Sequence, residues 1–240
     1  MSLAGKIAVV TGSSRGIGQG IALQLGEAGA TVYVTGRKPS ESSGTHKGLP
    51  SLEETAQEIT ARGGKGIARY VREFFDKLNA ETNGQLDILV NNAYAAVFAI
   101  LEAQDKKFYQ LEPEIWDTVN NVGLRNHYFC CVYASRMMVK NGRGLIVNIS
   151  SKGGLRYLFN VSYGVGKAAL NRMTQDMAIE LQGTGVTCLT VWPGAVRTQI
   201  VQSALTNEDF AKTEAGQAFS EGETIEYAGK AVVALASDKE

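Results

Sequence analysis

Short apolar runs recur along the chain and are separated by stretches with helical periodicity. The runs span residues 7–10, 32–34, 67–71, 86–90, 145–149 and 186–191. They are continuous and rich in β-branched residues, which is typical of strands buried on both faces of a parallel sheet. After the first run, Ile17, Ile21 and Leu25 recur one turn apart, which predicts a helix from Gly16 to Glu27. This alternation predicts one α/β domain over residues 1–240, a doubly wound parallel sheet of the Rossmann type with helices on both faces.

The composition narrows the classes of partner. The 240 residues are 44% hydrophobic and 20% charged, which are values of a globular chain. Lys plus Arg (24) equals Asp plus Glu (24), so no excess positive charge is present to hold a nucleic acid or an anionic membrane surface. No apolar run approaches the roughly 20 residues of a membrane span. The start MSLAGKIAVV also lacks the features of a signal peptide.

The cysteines and histidines predict neither a disulfide framework nor a metal site. Cys130 and Cys131 are adjacent and Cys188 is distant, a spacing that fits no cysteine ligand set. A reducing compartment is expected. The protein is therefore expected inside the cell, with the cytoplasm favoured and a membrane-associated organelle left open.

Two places depart from the regular alternation. GIARYV passes directly into REFFDKL, so a strand would become a helix without a turn, and a loop is expected to be missing near residues 71–72. The chain also ends after an apolar helix from Ala228 to Ala236, where another strand would ordinarily follow, so truncation after residue 240 is expected. The polar stretch from Lys38 to Leu52 predicts a loop.

A glycine-rich turn, TGSSRGIG, follows the first run and opens the first helix. Glycines let the backbone approach a pyrophosphate, and the N–H groups at a helix start favour its negative charge. The alternative is a tight turn that needs glycine only for its backbone angles. The residues predicted to bind a dinucleotide here are Gly12, Ser14, Arg15, Gly16, Ile17 and Gly18.

The same turn also satisfies G-x-S-x-G, the nucleophile motif of serine hydrolases, with Ser14 as the nucleophile. Such an enzyme needs a histidine on a loop late in the chain. His46 lies in the polar stretch, and His127 lies in an amphipathic helix from Ile115 to Cys130. We therefore expect His127 to be structural, and a hydrolase remains only an alternative.

The end of the second run predicts which dinucleotide is used. An NAD enzyme carries an acidic residue there to bind the ribose 2′-hydroxyl. This chain has Gly36 instead, followed by Arg37 and Lys38. Arg37 can bind a 2′-phosphate with two charge-assisted hydrogen bonds, and Arg15 can reach the same group. The sequence therefore predicts NADP(H), the alternative being that these cations only solvate a loop.

Tyr163 and Lys167 form the one Y-x-x-x-K spacing of the chain. Residues four apart share one face of a helix, so the ammonium can stabilise a phenolate and lower the pKa of the tyrosine. Tyr163 would then serve as a general acid. Upstream, an apolar run ends in Ser150 and Ser151, at the sheet edge where ligands bind. Ser151 is preferred as the partner of the substrate oxygen; Ser150, or a pair that only begins a turn, is the alternative.

The chain resembles the short-chain dehydrogenase/reductase family over nearly its whole length. The motifs that carry this resemblance are TGSSRGIG, LVNNAY, IVNISS, YGVGK and WPGAVRT, in that order. The strings NNAYA, NNVGLRNHYFC, YLFNVSYGVGK and VWPG resemble one subgroup of the family.

The resemblance implies further roles for named residues. Asn91 and Ala93 would lie along the adenosine and pyrophosphate of the cofactor, and Lys167 would also bind the nicotinamide ribose. The carboxamide would be held by Pro193, Val196 and Thr198. Hydride would pass from NADPH to a carbonyl carbon as Tyr163 protonates the oxygen, and the protein would form a homodimer or homotetramer.

Two departures from the family pattern bear on this mechanism. Gly123 stands where an asparagine usually anchors a proton-relay water beside the lysine. Asn120 lies one helical turn earlier and is predicted to hold a displaced water, unless it is a solvated helix residue. Tyr94 replaces the glycine that usually follows NNA and is expected near the cofactor or the mouth of the pocket.

Four aromatic residues are predicted to reach the cleft, although each could equally belong to the core: Tyr94, Tyr157, Phe159 and Trp192. They predict an apolar ketone, aldehyde or alcohol as substrate, such as a steroid or xenobiotic. The segment from Val201 to Glu223 is a candidate lid. The main prediction is an NADPH-dependent carbonyl reductase. The alternative is an NADP(H)-binding regulatory protein without turnover.

Overall fold

The computed structural model describes residues 2–36, 50–70, 74–103 and 106–238. Across these residues the strands are β1 (Ile7–Thr11), β2 (Thr31–Gly36), β3 (Lys65–Tyr70), β4 (Ile88–Asn91), β5 (Gly144–Ile149) and β6 (Val186–Val191). They form one sheet in the order β3-β2-β1-β4-β5-β6. The pairs β1/β2, β2/β3 and β5/β6 are parallel. This strand order is that of a Rossmann sheet and confirms the predicted doubly wound fold.

Helices lie between the strands and after the last one. They are α1 (Gly16–Glu27), α2 (Leu52–Ala61), α3 (Phe74–Glu81), α4 (Val97–Glu102), α5 (Ile115–Asn120), α6 (Asn126–Lys140), α7 (Val161–Glu180), α8 (Gln199–Ala204), α9 (Glu208–Ala211), α10 (Glu214–Ser220) and α11 (Tyr227–Ser237). Short 3-10 turns lie at Phe108–Gln110 and Lys152–Gly154, and a π-helical turn at Asn121–Arg125 joins α5 to α6.

The chain divides into two compact units, Met1–Ile88 with Pro193–Glu240, and Leu89–Trp192. In the first unit, Ile21 and Leu25 of the stripe predicted for α1 are fully buried, and Ile17 is half-buried. Gly20 lies against the backbone of Ile225, where a Cβ atom would overlap the carbonyl group. A glycine is required there because α1 packs closely on the segment that leads into α11.

In the second unit, buried polar side chains join the strands to the helices. The amide nitrogen of Asn91, at the end of β4, donates to the side-chain oxygen of Asn148 on β5 at 2.9 Å. Asn148 in turn donates to the hydroxyl of Thr174 on α7 at 2.9 Å. All three residues are buried, so these hydrogen bonds replace water for groups that would otherwise be unsatisfied.

Some predicted boundaries are wrong. The fourth apolar run begins at Leu86, but β4 begins at Ile88, and the Asp87 carboxylate before it accepts the N–H of Ile7 at 2.8 Å. The predicted helix from Ile115 to Cys130 is interrupted by the π turn. The junction at residues 71–73, the polar loop at 37–49, and residues 239–240 lie outside the described residues.

Within the described ranges, no helix is both long and apolar enough to cross a membrane. The same residues contain no group of three or more His, Cys, Asp or Glu side chains that could hold a metal ion. Cys130, Cys131 and Cys188 are free and buried.

Candidate active site

The glycine-rich turn of the first unit depends on its glycines. Gly12 and Gly16 have φ values of 64° and 60°, a region that residues with a side chain rarely adopt. The Ser13 hydroxyl donates to the carbonyl oxygen of Val10 at 2.8 Å and accepts the N–H of Thr35 at 3.1 Å. These two bonds attach the turn between β1 and α1 to both β1 and β2, a role that sequence reasoning did not assign to Ser13.

The start of α1 presents hydrogen-bond donors to an acceptor. Arg15 is the N-cap residue and its side chain makes no capping bond. The N–H of Gly16 donates to the side-chain oxygen of Gln199 at 2.9 Å, and the Gln199 amide nitrogen donates to Gln19 at 2.9 Å. An amide oxygen at this position shows that the helix start binds an oxygen acceptor. The turn therefore fits a phosphate oxygen, and Gln199 is a neighbour that sequence reasoning missed.

Residues 193–198 of the WPGAVRT segment lie beside this turn within the first unit. A Cβ atom at Gly16 would be 3.4 Å from the Cγ2 methyl of Thr198. Val196 is buried and pairs with Glu223 in an isolated β-bridge, while the Thr198 hydroxyl accepts the N–H of Val201 at 3.3 Å and caps α8. Pro193 is half-buried at the start of the segment. The candidate lid that follows contains α9, α10 and most of α8.

Of the residues that carry the dinucleotide preference, Arg15 and Gly36 are described. Gly36 ends β2, and a Cβ atom there would lie 3.3 Å from Cδ1 of Leu52, the end of a flexible side chain. Arg37 lies outside the described residues, and its role stays a prediction.

Asn91 ends β4, and its side chain lies in the interior of the second unit. Its side chain is buried in the second unit and bonded to Asn148, with a further contact of 3.1 Å to the sulfur of Cys131. The carbonyl oxygen of Ala93 accepts a hydrogen bond from the ring nitrogen Nε2 of His127 at 3.0 Å. The side chain of Asn91 therefore stabilises the fold, and the contact of Asn91 and Ala93 with a cofactor stays a prediction.

Tyr163 and Lys167 lie on the first two turns of α7. The Asn160 side chain accepts the N–H of Tyr163 at 2.9 Å and so fixes the start of the helix. Lys167 is 8% exposed, and its Nζ donates to the carbonyl oxygen of Ile149 at 3.0 Å. Nζ also lies 5.9 Å from the centroid of the Tyr163 ring. The predicted pair is thus brought together at the end of β5.

The structure separates the two candidate serines. Ser151 makes a hydrogen bond to the Tyr163 side chain, and its hydroxyl oxygen accepts the N–H of Gly153 at 3.0 Å. The hydroxyl of Ser150 instead donates to the backbone oxygen of Lys167 at 3.4 Å. The geometry therefore favours Ser151.

Burial controls the proton affinities of this site. Loss of solvent raises the pKa of Tyr163, and the hydrogen bond with Ser151 opposes that rise. The sequence predicted a lowered pKa; desolvation disfavours the phenolate and outweighs the stabilising contacts. Burial also lowers the pKa of Lys167 to about 8. Burial and the charge of Lys167 lower the pKa of His127 to about 3, so this histidine is neutral and structural, as expected.

Asn120, Gly123 and Tyr94 lie next to this pair. The side-chain oxygen of Asn120 packs against Gly166, and its amide nitrogen is buried without a partner among the described residues. The crevice between Asn120, Tyr94 and Lys167 has no room for a water molecule. The geometry therefore does not support the displaced water predicted for Asn120.

The four aromatic residues predicted in the cleft have different surroundings. The ring centroid of Phe159 lies 5.0 Å from that of Tyr163, and that of Tyr94 lies 6.1 Å from it. Phe159 has a φ of 63°, a strained angle for a residue with a side chain and one that often occurs at functional sites. Tyr157 is exposed, and the Trp192 indole donates to Asn171 at 3.2 Å.

Comparisons with known proteins match most of the chain. The family model described as short chain dehydrogenase matches residues 6–209. The chain is 47% identical to human dehydrogenase/reductase SDR family member 1 over 246 residues, which cover 98% of this chain and 75% of that protein. This match confirms the subgroup that the four sequence strings predicted.

More distant relatives include proteins named for NADP. The chain is 31% identical to NADPH-dependent aldehyde reductase 2, chloroplastic, from Arabidopsis thaliana, with 99% of this chain and 89% of that protein covered. A crystal structure of a metagenomic short-chain oxidoreductase in complex with NADP superposes with a TM-score of 0.75 at 28% identity, covering 99% of this chain and 93% of that one.

Proposed function

Because this chain belongs to the short-chain dehydrogenase family, we propose that it is an NADP(H)-dependent oxidoreductase that interconverts a ketone or aldehyde and its alcohol. The observation that carries the proposal is the position of Tyr163. Its side chain is hydrogen-bonded to Ser151 and lies one helical turn from the buried cation of Lys167. This combination of an acid, a hydroxyl and a cation is suited to protonating a carbonyl oxygen.

In the reductive direction, Tyr163 holds the proton that the substrate oxygen needs. Its raised pKa keeps the phenol protonated at neutral pH, and Ser151 orients the hydroxyl group. When Tyr163 gives up the proton, the ammonium of Lys167 stabilises the phenolate that remains. The cofactor, when bound, supplies the hydride. The protein residues therefore position the oxygen, donate the proton and balance the charge.

The choice of NADP(H) over NAD(H) follows from charge at the end of β2. Gly36 leaves that position without a carboxylate, and Arg15 and Arg37 provide positive charge for a 2′-phosphate. The N–H groups at the start of α1 would hold the pyrophosphate. Relatives named for NADPH, and a similar structure in complex with NADP, support the same choice.

The segment before α7 supports an apolar substrate. Leu155 and Tyr157 are 74% and 73% exposed, and Phe159 is also exposed while contacting Tyr163. Apolar side chains that cluster in the open beside a reactive group are typical of binding sites. We propose a hydrophobic ketone or aldehyde, in the class of steroid or xenobiotic carbonyls.

The two alternatives have less support. For a serine hydrolase, Ser14 would need an adjacent base, but His127 is buried, has a pKa of about 3 and bonds to the carbonyl oxygen of Ala93. A regulatory NADP(H)-binding protein without turnover has one observation in its favour, the glycine at position 123 in place of the usual asparagine.

One experiment separates these three functions. The purified protein is titrated with NADPH and with NADH, followed by cofactor fluorescence, and oxidation of each is then measured against a panel of hydrophobic aldehydes and ketones. The proposal predicts tighter NADPH binding and turnover on part of the panel. Tight binding without turnover would favour the regulatory function, and labelling of Ser14 by a fluorophosphonate would favour the hydrolase.

We further propose that the protein forms a homodimer or homotetramer. Aromatic side chains are exposed on α5 and α6, namely Trp116, Tyr128, Phe129 and Tyr133. Exposed apolar surface of this kind is typical of an interface between subunits. Sedimentation analysis should give twice or four times the chain mass of 25.7 kDa, and a monomer at all concentrations would contradict the proposal.

A further inference from the structure

Gly123 lies under the ring of Tyr94. A Cβ atom at position 123 would be 2.7 Å from Cδ2 and 2.8 Å from Cε2 of that ring, closer than carbon atoms in proteins approach each other. Gly123 itself is buried within the π turn between α5 and α6. Position 123 can therefore carry no side chain while the ring of Tyr94 stays where it is.

The ring of Tyr94 contacts both members of the catalytic pair. It meets the Tyr163 ring edge to face, with centroids 6.1 Å apart and planes at 86°. The Nζ atom of Lys167 lies 5.1 Å from the centroid of the Tyr94 ring, within the range of a cation–π interaction. Tyr94 also packs against the buried cluster of Ala96, Ile100 and Val119.

We propose that Tyr94 is a positioning residue for Tyr163 and Lys167, and that Gly123 is its required complement. The aromatic ring fills the space above position 123 and holds the ammonium of Lys167 against its face. This inference rests on the proposed function, because it assigns Tyr94 a part in arranging the same two side chains.

The face of the ring carries this role, whereas the hydroxyl group does not. The Tyr94 hydroxyl oxygen is buried and has no hydrogen-bond partner among the described residues. Burial also raises the pKa of Tyr94, so its proton is not available near neutral pH. Tyr94→Phe should therefore preserve the function, and Tyr94→Leu should not, because leucine keeps an apolar side chain but lacks the aromatic face.

The pKa of Lys167 depends on its contact with the ring of Tyr94. The groups that face its ammonium are the rings of Tyr163 and Tyr94, the carbonyl oxygen of Ile149, and His127, whose pKa is coupled to the lysine charge. His127 is neutral above about pH 3, so it does not repel the ammonium. Loss of the Tyr94 ring removes a favourable contact of the charged form, and the pKa of Lys167 should fall below about 8.

The first test measures the titration of Lys167 by NMR in the cofactor-free protein, with labelled lysine and a Lys167→Arg variant to assign the signal. Tyr94→Leu should lower the midpoint by about 0.5 to 1 pH unit, and Tyr94→Phe should leave it unchanged. Tyr109→Leu, at an exposed tyrosine, is the matched control and should also leave it unchanged. Equal midpoints in Tyr94→Leu and the unmodified protein would overturn the proposal.

The second test measures the steric complement by thermal unfolding. Gly123→Ala alone should lower Tm by about 3 to 10 °C, because its methyl group overlaps the ring. In the Tyr94→Ala background the same substitution should lower Tm little or raise it, since alanine favours a helix over glycine. If Gly123→Ala lowers Tm equally in both backgrounds, the ring does not occupy that space and the proposal fails.

Both tests avoid turnover, so their failure is distinct from failure of the proposed function. For an active protein, the rate adds a third readout: Tyr94→Leu should shift the alkaline limb of the kcat profile to lower pH, and Tyr94→Phe should restore it. If Tyr94→Phe abolishes turnover while the titration of Lys167 stays normal, the hydroxyl group acts directly and the positioning role is wrong.

Discussion

The Nζ atom of Lys167 lies 3.0 Å from the carbonyl oxygen of Ile149, the last residue of β5. The side chain is buried, and loss of solvent lowers its pKa to about 8. One carbonyl dipole and two aromatic rings replace the water that the cation has lost. The chain thus holds a lysine whose charge begins to titrate close to neutral pH.

This titration predicts the pH dependence of carbonyl reduction. As pH rises through about 8, Lys167 loses the charge that stabilises the phenolate, and kcat/KM should fall. Tyr163 keeps its proton over this range because burial raises its pKa. The measurement is kcat/KM for NADPH-dependent reduction from about pH 6 to about pH 9.5.

The free energy of unfolding provides the control for this prediction. The contribution of Lys167 to it should rise with pH, whereas kcat/KM should fall. The pKa of Lys167 is lower in the folded than in the unfolded chain, so burying its charge costs stability below about pH 8. That cost disappears as pH rises towards the unfolded value of about 10.4. Lost activity near pH 8 therefore does not arise from this lysine unfolding the protein. A flat rate profile would contradict the assignment.

His127 predicts a loss of stability in acid. Its pKa falls from the usual 6.5 to about 3 because the ring is buried beside Lys167, so the folded chain keeps it neutral. The stability it contributes is complete above about pH 6.5 and is lost progressively as pH falls towards 3. The measurement is the urea midpoint between these pH values for the unmodified protein and for His127→Gln, which should lose less.

The chain has 2 histidines, His46 and His127, so NMR checks the same assignment directly. The ring signals of His127 should not titrate between about pH 5 and about pH 8. A midpoint near 6.5 for both histidines would show that His127 is not held neutral by burial.

The Asn91–Asn148–Thr174 network predicts a stability effect without any direct role in catalysis. Asn148→Ala removes two buried hydrogen bonds of 2.9 Å, one to Asn91 and one to Thr174. The free energy of unfolding should fall by about 2 to 4 kcal/mol, measured by urea denaturation. Gln182→Ala, at an exposed position, is the control and should change it by less than about 0.5 kcal/mol. Equal effects of the two substitutions would contradict the role of the network.

Gly36 predicts that cofactor preference can be reversed. Gly36→Asp places a carboxylate at the end of β2, where it repels a 2′-phosphate and accepts a hydrogen bond from a 2′-hydroxyl. The new side chain contacts only the flexible end of Leu52 among the nearest atoms, so folding should be preserved. The ratio of kcat/KM for NADPH to that for NADH should fall by at least about tenfold, equivalent to about 1.4 kcal/mol. Gly36→Asn has the same shape without the charge and should change the ratio less; equal changes would exclude the charge effect.

The parts of the fold that follow from local sequence were predictable. A continuous β-branched run predicted the observed bounds of β6, Val186–Val191. The stripe of Ile21 and Leu25, with the flanking glycine turn, predicted the observed bounds of α1. In both cases the residues that form the element also determine where it begins and ends.

The rest depends on contacts between segments that are distant in the chain. The π turn at Asn121–Arg125 interrupts a helical pattern that looks continuous in the sequence, and Gly123 within it packs against Tyr94. The buried side chain of Asn91 could not be inferred from the NNA motif, because its partner Asn148 is on another strand. The raised pKa of Tyr163 likewise reflects burial, which the Tyr–Lys spacing does not encode.

The central claim is that Tyr163 donates the proton in an NADPH-dependent reduction, and Tyr163→Phe tests it most directly. On any carbonyl that the unmodified protein reduces, the variant should lose kcat by a factor of about 10² to 10⁴ while its affinity for NADPH, measured by fluorescence titration, stays the same. Tyr109→Phe, at an exposed tyrosine, should match the unmodified protein in both. A Tyr163→Phe variant that keeps kcat within about threefold of the unmodified protein would contradict the account.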